Sequence, residues 1–258
     1  MLQAIIWDVD GTLAETERDG HRVAFNLAFE AHGLPWRWDE AHYGALLRIT
    51  GGRERILHDM ASRGDAPPLA DERERLARAL HQRKNQLYGE ILRERGIPLR
   101  DGVGALIAQC RGEGVRMAVA TTTSRANVDE LLSLHLGDRW QRQFDAVVCG
   151  EDVQHKKPDP EVYVRCLAML QIGALETLAL EDSPGGVAAA RAADVPVVVT
   201  RSHYFTDAPI DGAIAIGPGL HRRDGWHPAL PEQGRGGAVS LADLRHWHQQ
   251  MQGVSHFP

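Results

Sequence analysis

The chain has 258 residues, of which 43% are hydrophobic and 25% are charged, as is typical of a soluble globular protein. This length allows one full hydrophobic core and a smaller lobe. The formal net charge of -6 gives no electrostatic reason to bind nucleic acid or an anionic membrane, and no apolar stretch approaches the roughly 20 residues of a membrane span.

The first predicted element is a short buried strand that ends in two acids. Ile5-Ile6-Trp7 precedes Asp8-Val9-Asp10-Gly11-Thr12. Because alternate residues of an extended chain point the same way, Asp8 and Asp10 can face one ligand. Acids at the end of a buried strand are costly to keep there unless a cation or a reaction uses them. The alternative is an ordinary strand-to-turn exit, where Asp and Gly are common.

A helical lobe is predicted after this strand. Three helical stretches carry no convincing strand between them, and they lie near 18–32, 39–62 and 71–95. The pair Pro67-Pro68 marks a turn inside the lobe. We therefore predict two domains, a core formed by residues 1–16 and 93–258 and a helical cap formed by residues 17–92.

Several residues of this lobe are candidates for binding an anionic substrate. Lys84 lies on the apolar stripe of the third stretch, so it either snorkels past its neighbours or faces a cleft. The segment Gly51-Gly52-Arg53-Glu54-Arg55 offers backbone amides and a guanidinium, with Arg53 suited to a second phosphate, or it is an ordinary turn. His21 is either a core-edge residue or a ligand, and Glu17 and Tyr43 could bond sugar hydroxyls.

Strands and helices alternate after residue 110. Four apolar runs end at a polar or turn residue, namely Val115–Ala120, Ala146–Cys149, Leu178–Leu180 and Pro196–Val199. Helical patterns follow the first three of them, namely Ala126–Leu136, Glu161–Leu170 and Gly186–Ala193. This alternation predicts a doubly wound α/β sheet that is covered on both faces and binds ligands at the carboxyl ends of its strands. Ala213–Ile216 is a candidate edge strand, and a last helix is predicted over Leu241–Met251.

Polar groups follow three of these strands. The hydroxyls of Thr121-Thr122-Thr123-Ser124 either cap the next helix or bind phosphate. Lys157, before Pro158, is a solvated surface residue unless a negatively charged site needs its compact cation. Glu181-Asp182 could join the first strand's acids around Mg²⁺, which takes one or two carboxylates plus phosphate and water oxygens.

Cysteine use and the N-terminus bear on location. The three cysteines are odd in number and not in C-x-x-C spacing, so they indicate neither a disulfide framework nor a zinc site. The chain opens directly into a strand without the basic segment of a signal peptide. We expect a cytoplasmic monomer with no nucleic-acid or membrane partner.

The four strand-end segments together resemble the four motifs of the haloacid dehalogenase superfamily. The resemblance implies a Rossmann-like core with a helical cap. It further implies that Asp8 attacks phosphorus and becomes an aspartyl phosphate, while Asp10 protonates the leaving oxygen and later activates water. Thr121 and Lys157 would hold the phosphoryl group, with Thr122 as the alternative hydroxyl. Mg²⁺ would be bound by Asp8, the Asp10 carbonyl and Asp182, with Glu181 assisting.

A narrower resemblance is to the β-phosphoglucomutase and CbbY-type branch. It is carried by Glu15-Thr16-Glu17, Thr50–Arg55, Thr121–Ser124 and the helix Leu241–His248. CbbY-type proteins hydrolyse xylulose-1,5-bisphosphate in carbon-fixing (Calvin-cycle) metabolism, so the resemblance implies a sugar-bisphosphate phosphatase. Two departures are Trp7 in place of Phe, and one extra residue between Glu17 and His21. The substrate-binding residues would be Glu17, His21, Tyr43, Gly51, Gly52, Arg53, Lys84 and Thr122.

Two other functions remain open at this stage. A sugar-phosphate mutase would use the same covalent step, and only the exclusion of water by a closed cap separates it from a phosphatase. A phosphorylated signalling module would also gather an aspartate, a hydroxyl and a lysine at strand ends. However, such a module has no use for the lid that the helical insertion would form.

Overall fold

A six-stranded sheet lies at the centre of the protein. The computed structural model describes residues 1–231 and 237–254. The strands are β1 (Ala4–Trp7), β2 (Arg116–Ala120), β3 (Ala146–Val148), β4 (Thr177–Glu181), β5 (Val197–Thr200) and β6 (Ala215–Gly217). They lie in the order β3-β2-β1-β4-β5-β6, and neighbouring strands are parallel. The order reverses between β1 and β4, so a ligand site is expected at their carboxyl ends.

Helices cover both faces of this sheet and extend beyond its ligand-binding edge. They are α1 (Arg22–Ala31), α2 (Glu40–Leu46), α3 (Gly52–Ala61), α4 (Ala70–Arg95), α5 (Val103–Gly112), α6 (Arg125–Leu136), α7 (Glu161–Leu170), α8 (Pro184–Ala192) and α9 (Leu241–Val254). Side chains of α5, α6 and α9 pack on one face of the sheet, and those of α7 and α8 pack on the other. The predicted doubly wound α/β fold is confirmed. Across the described residues, no helix combines the length and the hydropathy that crossing a membrane requires.

Helices α1 to α4 enclose an aromatic cluster of their own. Phe25, Phe29, Trp36, Trp38 and Tyr43 are all at most 5% exposed. The buried Asp59 carboxylate accepts hydrogen bonds from Trp38 Nε1 (2.8 Å), His42 Nε2 (2.8 Å) and Arg63 Nε (2.7 Å). Yet α1 and α4 also pack against the hydrophobic core of the sheet. The division into domains at residues 17 and 92 therefore stays a prediction.

The helical region differs from the sequence prediction in two places. The stretch 39–62 is two helices rather than one, because α2 ends at Leu46 and α3 begins only after Gly51, which has a φ of 98°. The stretch 18–32 opens with a π-helical turn, Glu17–His21, before α1.

Candidate active site

The ends of three strands bring a lysine and two acids together. Asp8 follows β1, Glu181 ends β4, and Lys157 lies in the loop after β3. Lys157 Nζ donates to Asp8 Oδ1 (2.7 Å), to Glu181 Oε1 (2.6 Å) and to the Ala120 carbonyl (2.9 Å). All three charged side chains are at most 10% exposed. Lys157 is therefore not a solvated surface residue.

Asp182 completes this cluster. Single oxygens of Asp8, Glu181 and Asp182 lie within 4.8 Å of one another. A Cβ on Gly11 would collide with the Asp182 carboxylate, so this glycine allows the close approach of the two segments. Three buried acids face one ammonium group, which leaves negative charge for a cation to neutralise. The oxygen donors and their charge fit Mg²⁺.

The pKa values of Asp8, Asp182 and Lys157 are shifted by this excess of negative charge and by burial. Burial and then repulsion from Glu181 raise the pKa of Asp8 to about 7, against the opposing effect of Lys157. Burial, Asp8 and Glu181 raise the pKa of Asp182 well above its ordinary value. Burial opposes the charge of Lys157, but Asp8 and Glu181 outweigh it and raise the pKa of the lysine.

Asp10 has a different environment from Asp8. Its Oδ1 accepts a hydrogen bond from Thr16 Oγ1 (2.6 Å) and lies 2.8 Å from His21 Nε2. Lys84 Nζ lies 2.7 Å from His21 Nδ1, and an ammonium group can only donate. Nε2 of His21 therefore carries the proton and donates to Asp10. Burial would raise the pKa of Asp10, but His21 and Thr16 outweigh it and hold it at about 2.

The π-helical turn positions His21. A π-helical turn accommodates one residue more than an α-helical turn, and such turns occur at functional sites. The turn Glu17–His21 lies where the resemblance to the CbbY-type branch implies one extra residue. The His21 ring stacks on Tyr88, with 4.2 Å between ring centroids. His21 faces Asp10 from the end of this turn.

Two adjoining clefts open onto these acids. They share Asp10, Glu17, Arg55 and Thr122. The catalytic cleft, of about 1090 Å³ with its open mouth, is lined further by Asp8, Thr121, Lys157 and Asp182. The helical-side cleft, of about 570 Å³, is lined further by His21, Gly51, Gly52, His81, Lys84, Thr123, Ser124, Gly150, Glu151 and Lys156. Volumes of this order accommodate a small organic ligand.

Glu17 and Tyr43 are held together by an arginine. Tyr43 Oη donates to Glu17 Oε2, and Arg55 Nη1 donates to Tyr43 Oη (2.9 Å). Arg55 Nη1 also lies 3.8 Å from Glu17 Oε2. Tyr43 is fully buried and lines neither cleft, whereas Glu17 and Arg55 line both. Tyr43 thus supports Glu17 from behind.

Arg53 is not brought to the clefts. Its guanidinium lies 3.0 Å from Glu74 Oε1 and 3.5 Å from Glu54 Oε1, and its side chain is 39% exposed. Arg55, two residues later, is only 7% exposed and faces the site. The sequence prediction therefore chose Arg53, whereas Arg55 is the arginine that faces the site.

Several residues of the helical-side cleft were not assigned to the site in the sequence prediction, among them Arg55, His81 and Lys156. Ser124 was one of four hydroxyls considered for helix capping or for phosphate. Ser124 precedes α6 and is 7% exposed, and its buried Oγ has no hydrogen-bond partner among the described residues. Lys156 Nζ donates to Glu54 Oε1 (2.8 Å). His81, one helical turn before Lys84, could have been found from the i, i+3 spacing.

Burial lowers the proton affinity of two of the bases in this cleft. Lys84 is 3% exposed, and burial lowers its pKa to about 8. Burial and then the nearby Lys84 lower the pKa of His81 to about 3. Lys84 thus faces the cleft rather than snorkelling to solvent, and His81 is neutral near pH 7.

Comparisons of the sequence and the structure with known proteins identify the same family. Residues 2–194 match the model of haloacid dehalogenase-like hydrolases. Protein CbbY from Cupriavidus necator is 40% identical over 96% of this chain and 97% of its own length. Protein CbbY from Rhodobacter capsulatus is 44% identical over 79% and 87%, respectively. A crystal structure of CbbY from Rhodobacter sphaeroides in complex with xylulose-(1,5)bisphosphate matches with a TM-score of 0.81 and 36% identity, covering 95% of this chain and 99% of that one.

These matches and the geometry above agree. The chain belongs to the haloacid dehalogenase-like hydrolases. Its similarity to CbbY proteins identifies it as a CbbY-type phosphatase within that family. This confirms the resemblance inferred from the sequence.

Proposed function

We propose that the protein is a Mg²⁺-dependent phosphatase of sugar bisphosphates that works through an aspartyl phosphate on Asp8. The observation that carries the proposal is the buried group of Asp8, Lys157 and Asp182 in the catalytic cleft, which adjoins a second cleft that contains Arg55, Lys84 and Lys156. One cleft supplies the chemistry for a phosphate ester. The other supplies charge for a second anionic group.

The magnesium ion would be held by Asp8, the Asp10 carbonyl and Asp182, with Glu181 in support. Glu181 is fully buried and already accepts hydrogen bonds from Lys157 and from Tyr163 Oη (2.6 Å), which suits a supporting role. When bound, the ion would offset the repulsion among the acids and polarise the phosphate oxygens. The raised pKa values of Asp8 and Asp182 support the need for such a cation.

In the first step, an Asp8 carboxylate oxygen attacks phosphorus and the bond from phosphorus to the sugar oxygen breaks. Lys157 keeps Asp8 oriented and offers positive charge to the equatorial oxygens, because phosphoryl transfer depends mainly on positioning and charge neutralisation. Thr121 and Thr122 line the same cleft and offer hydroxyls to the phosphoryl group. The product of this step is an aspartyl phosphate and a sugar oxygen that needs a proton.

Asp10 would supply that proton and then take one from water. With a pKa of about 2 it is ionised in the free enzyme, but the negative charge of a bound phosphate raises the pKa of a nearby carboxyl group. In the second step, Asp10 removes a proton from water, and the water oxygen attacks phosphorus. The bond from phosphorus to Asp8 breaks. This releases phosphate and leaves Asp8 as a carboxylate and Asp10 with the proton that it took from water. Thr16 and His21 hold Asp10 in place through both steps.

The helical-side cleft would bind the second phosphate. The Ser124 hydroxyl, which has no hydrogen-bond partner among the described residues, would donate to this anion, whereas the first amide of α6 already donates to Glu151. Lys156, Lys84 and neutral His81 surround the same space. Glu17 and Arg55 lie between the two clefts, where the sugar hydroxyls would sit.

Xylulose-1,5-bisphosphate is the first substrate to test. The relative from Rhodobacter sphaeroides binds this compound, and its structure covers nearly all of this chain. In the test, purified protein is mixed with pentose and hexose bisphosphates and their monophosphates, with and without Mg²⁺. We expect phosphate release that equals substrate loss, requires Mg²⁺, and is fastest with a bisphosphate.

Two outcomes of this test would reject the proposal. Formation of an isomerised sugar phosphate without net phosphate release would indicate a mutase. A long-lived phosphoprotein without turnover of any sugar phosphate would indicate a signalling module.

A further inference from the structure

Arg100 lies where the chain returns from the helical region to the sheet. It follows α4 and precedes α5. Its backbone N–H donates to the Leu13 carbonyl (2.8 Å), and Leu99 pairs with Ala14 in an isolated antiparallel bridge. The outgoing and returning segments are therefore joined beside the Asp8–Thr12 loop.

The Arg100 guanidinium joins three further segments through main-chain carbonyls. Nη1 donates to the Gly11 carbonyl and to both the carbonyl and Oγ1 of Thr200 (3.1 Å each). Nη2 donates to the Arg201 carbonyl (2.6 Å) and to the Pro218 carbonyl (3.4 Å). The side chain is 13% exposed, and its ion-pair contact with Glu15 is long, at 3.6 Å. Burying the Arg100 guanidinium without a close carboxylate costs free energy, because neutral carbonyls do not neutralise its charge.

Two of these segments form the walls around Asp182. A Cβ on Gly11 would collide with the Asp182 carboxylate and would come within 3.2 Å of Ser202 Cβ. Ser202 follows Arg201, and the Ser202 side chain opposes the rise in the pKa of Asp182. Gly11 in turn follows Asp10. The guanidinium thus sets the spacing between the turn after Asp10 and the segment that holds Asp182.

We infer that Arg100 is a positioning residue that holds Asp182 and the Asp10 main chain at the spacing a divalent cation requires. It touches neither acid through a hydrogen bond and acts through Gly11, Arg201 and Ser202. The inference rests on the proposed function, because it assigns Arg100 to the same cation site. Residues behind the ligands of a metal commonly control its affinity in this way.

The test is Mn²⁺ binding to the purified, metal-free full chain, measured from the electron paramagnetic resonance signal of the free ion. Arg100→Met is expected to weaken Mn²⁺ binding by about tenfold or more, as is typical when a supporting contact is lost. Arg100→Lys keeps the positive charge but lacks the several fixed donors of the guanidinium. We therefore expect an intermediate loss of Mn²⁺ affinity, about threefold to fivefold. Arg116→Met is the matched control, because Arg116 Nη1 also donates to a carbonyl, that of Leu170 (2.6 Å), but lies at the start of β2, at the opposite end of the strand from the site.

The possible results separate this inference from the proposed function. Weak binding by Arg100→Met, with Arg116→Met within about twofold of the parent, supports it. Mn²⁺ binding by the parent and by folded Arg100→Met with equal affinity overturns the inference alone. If Arg100→Met does not fold, Arg100→Lys decides, and an affinity equal to that of the parent overturns the inference. No binding by the parent overturns the proposed function and this inference with it.

Discussion

The two clefts of the active site place their charged groups on different kinds of structure. In the catalytic cleft, buried acids exceed the one lysine that bonds to them, and main-chain strand ends fix their positions. In the helical-side cleft, the cations Arg55, Lys84 and Lys156 lie on helices and loops beside the acids Asp10, Glu17 and Glu151. Strand ends therefore carry the residues proposed for the reaction, whereas helices and loops carry those proposed for substrate binding.

The largest expected effect is that of Asp8→Asn. An amide cannot attack phosphorus, so we predict a fall in kcat of about 10⁴-fold or more, measured as phosphate release. The fold should be retained. Because burial raises the pKa of Asp8 to about 7, its ionisation costs stability, and this cost grows as the pH rises from about 4 to about 7 and stays constant above that. In EDTA the variant should therefore melt no lower than the parent at pH 7, with any advantage lost as the pH falls towards 4. A lower melting temperature at pH 7 would contradict this account of the cluster.

Substitution of the two nearby arginines separates the clefts. Arg55→Ala should raise KM for the bisphosphate about tenfold to hundredfold, because a buried charged hydrogen-bond donor is lost. Turnover of p-nitrophenyl phosphate, which lacks both the sugar and a second phosphate, should change much less. Arg53→Ala is the matched control and should change KM by less than about threefold, since Arg53 pairs with Glu74 and Glu54 at the surface. A larger loss in Arg53→Ala than in folded Arg55→Ala would show that Arg53 reads the second phosphate.

The lowered pKa of Lys84 predicts that bisphosphate binding depends on pH. Burial lowers its pKa to about 8, so its positive charge is present below that pH and lost above it. The kcat/KM for the bisphosphate should fall about tenfold per pH unit above the pKa, because this quantity reports the free enzyme. A guanidinium at this position would keep its charge, so the profile of Lys84→Arg should stay flat through this range. A fall at the same pH in Lys84→Arg would assign the ionisation to another group.

The smallest effect is expected for an ion pair that lies outside both clefts. Arg93 on α4 and Glu130 on α6 are 2.6 Å apart, with side chains 57% and 40% exposed. Glu130→Gln should change the free energy of unfolding in urea by less than about 1 kcal/mol and kcat/KM by less than about twofold. A change in kcat/KM as large as that of Arg55→Ala would mean that contacts closing the cap, rather than the charges of the cleft, govern substrate binding.

The strand-end site was largely predictable, because its residues follow from two simple rules. Acids two positions apart share one side of an extended chain, and parallel strands end at one edge of a sheet. Asp8, Lys157 and Asp182 could therefore be brought together from the sequence alone. The fold class was predictable for the same reason, since alternating strands and helices leave few topologies.

The helical side was less predictable, because small backbone changes decide which side chains face the site. Gly51, with its positive φ, immediately precedes α3, in which Arg55 and not Arg53 lines the clefts. The π-helical turn Glu17–His21 ends at the residue that faces Asp10. Hydrophobic periodicity alone predicts neither feature. The buried Ser124 hydroxyl, without a hydrogen-bond partner among the described residues, is likewise evident only from three-dimensional packing.

The most direct test of the central claim is chemical trapping of the acyl phosphate. The enzyme is mixed with its fastest bisphosphate substrate and Mg²⁺, quenched in acid within one turnover and reduced with borohydride, which converts an aspartyl phosphate to an alcohol. Peptide mass spectrometry should then find the reduced side chain at Asp8, and only when substrate was present. Steady phosphate release with an unmodified Asp8 at every quench time, or with the modification on another residue, would contradict the account.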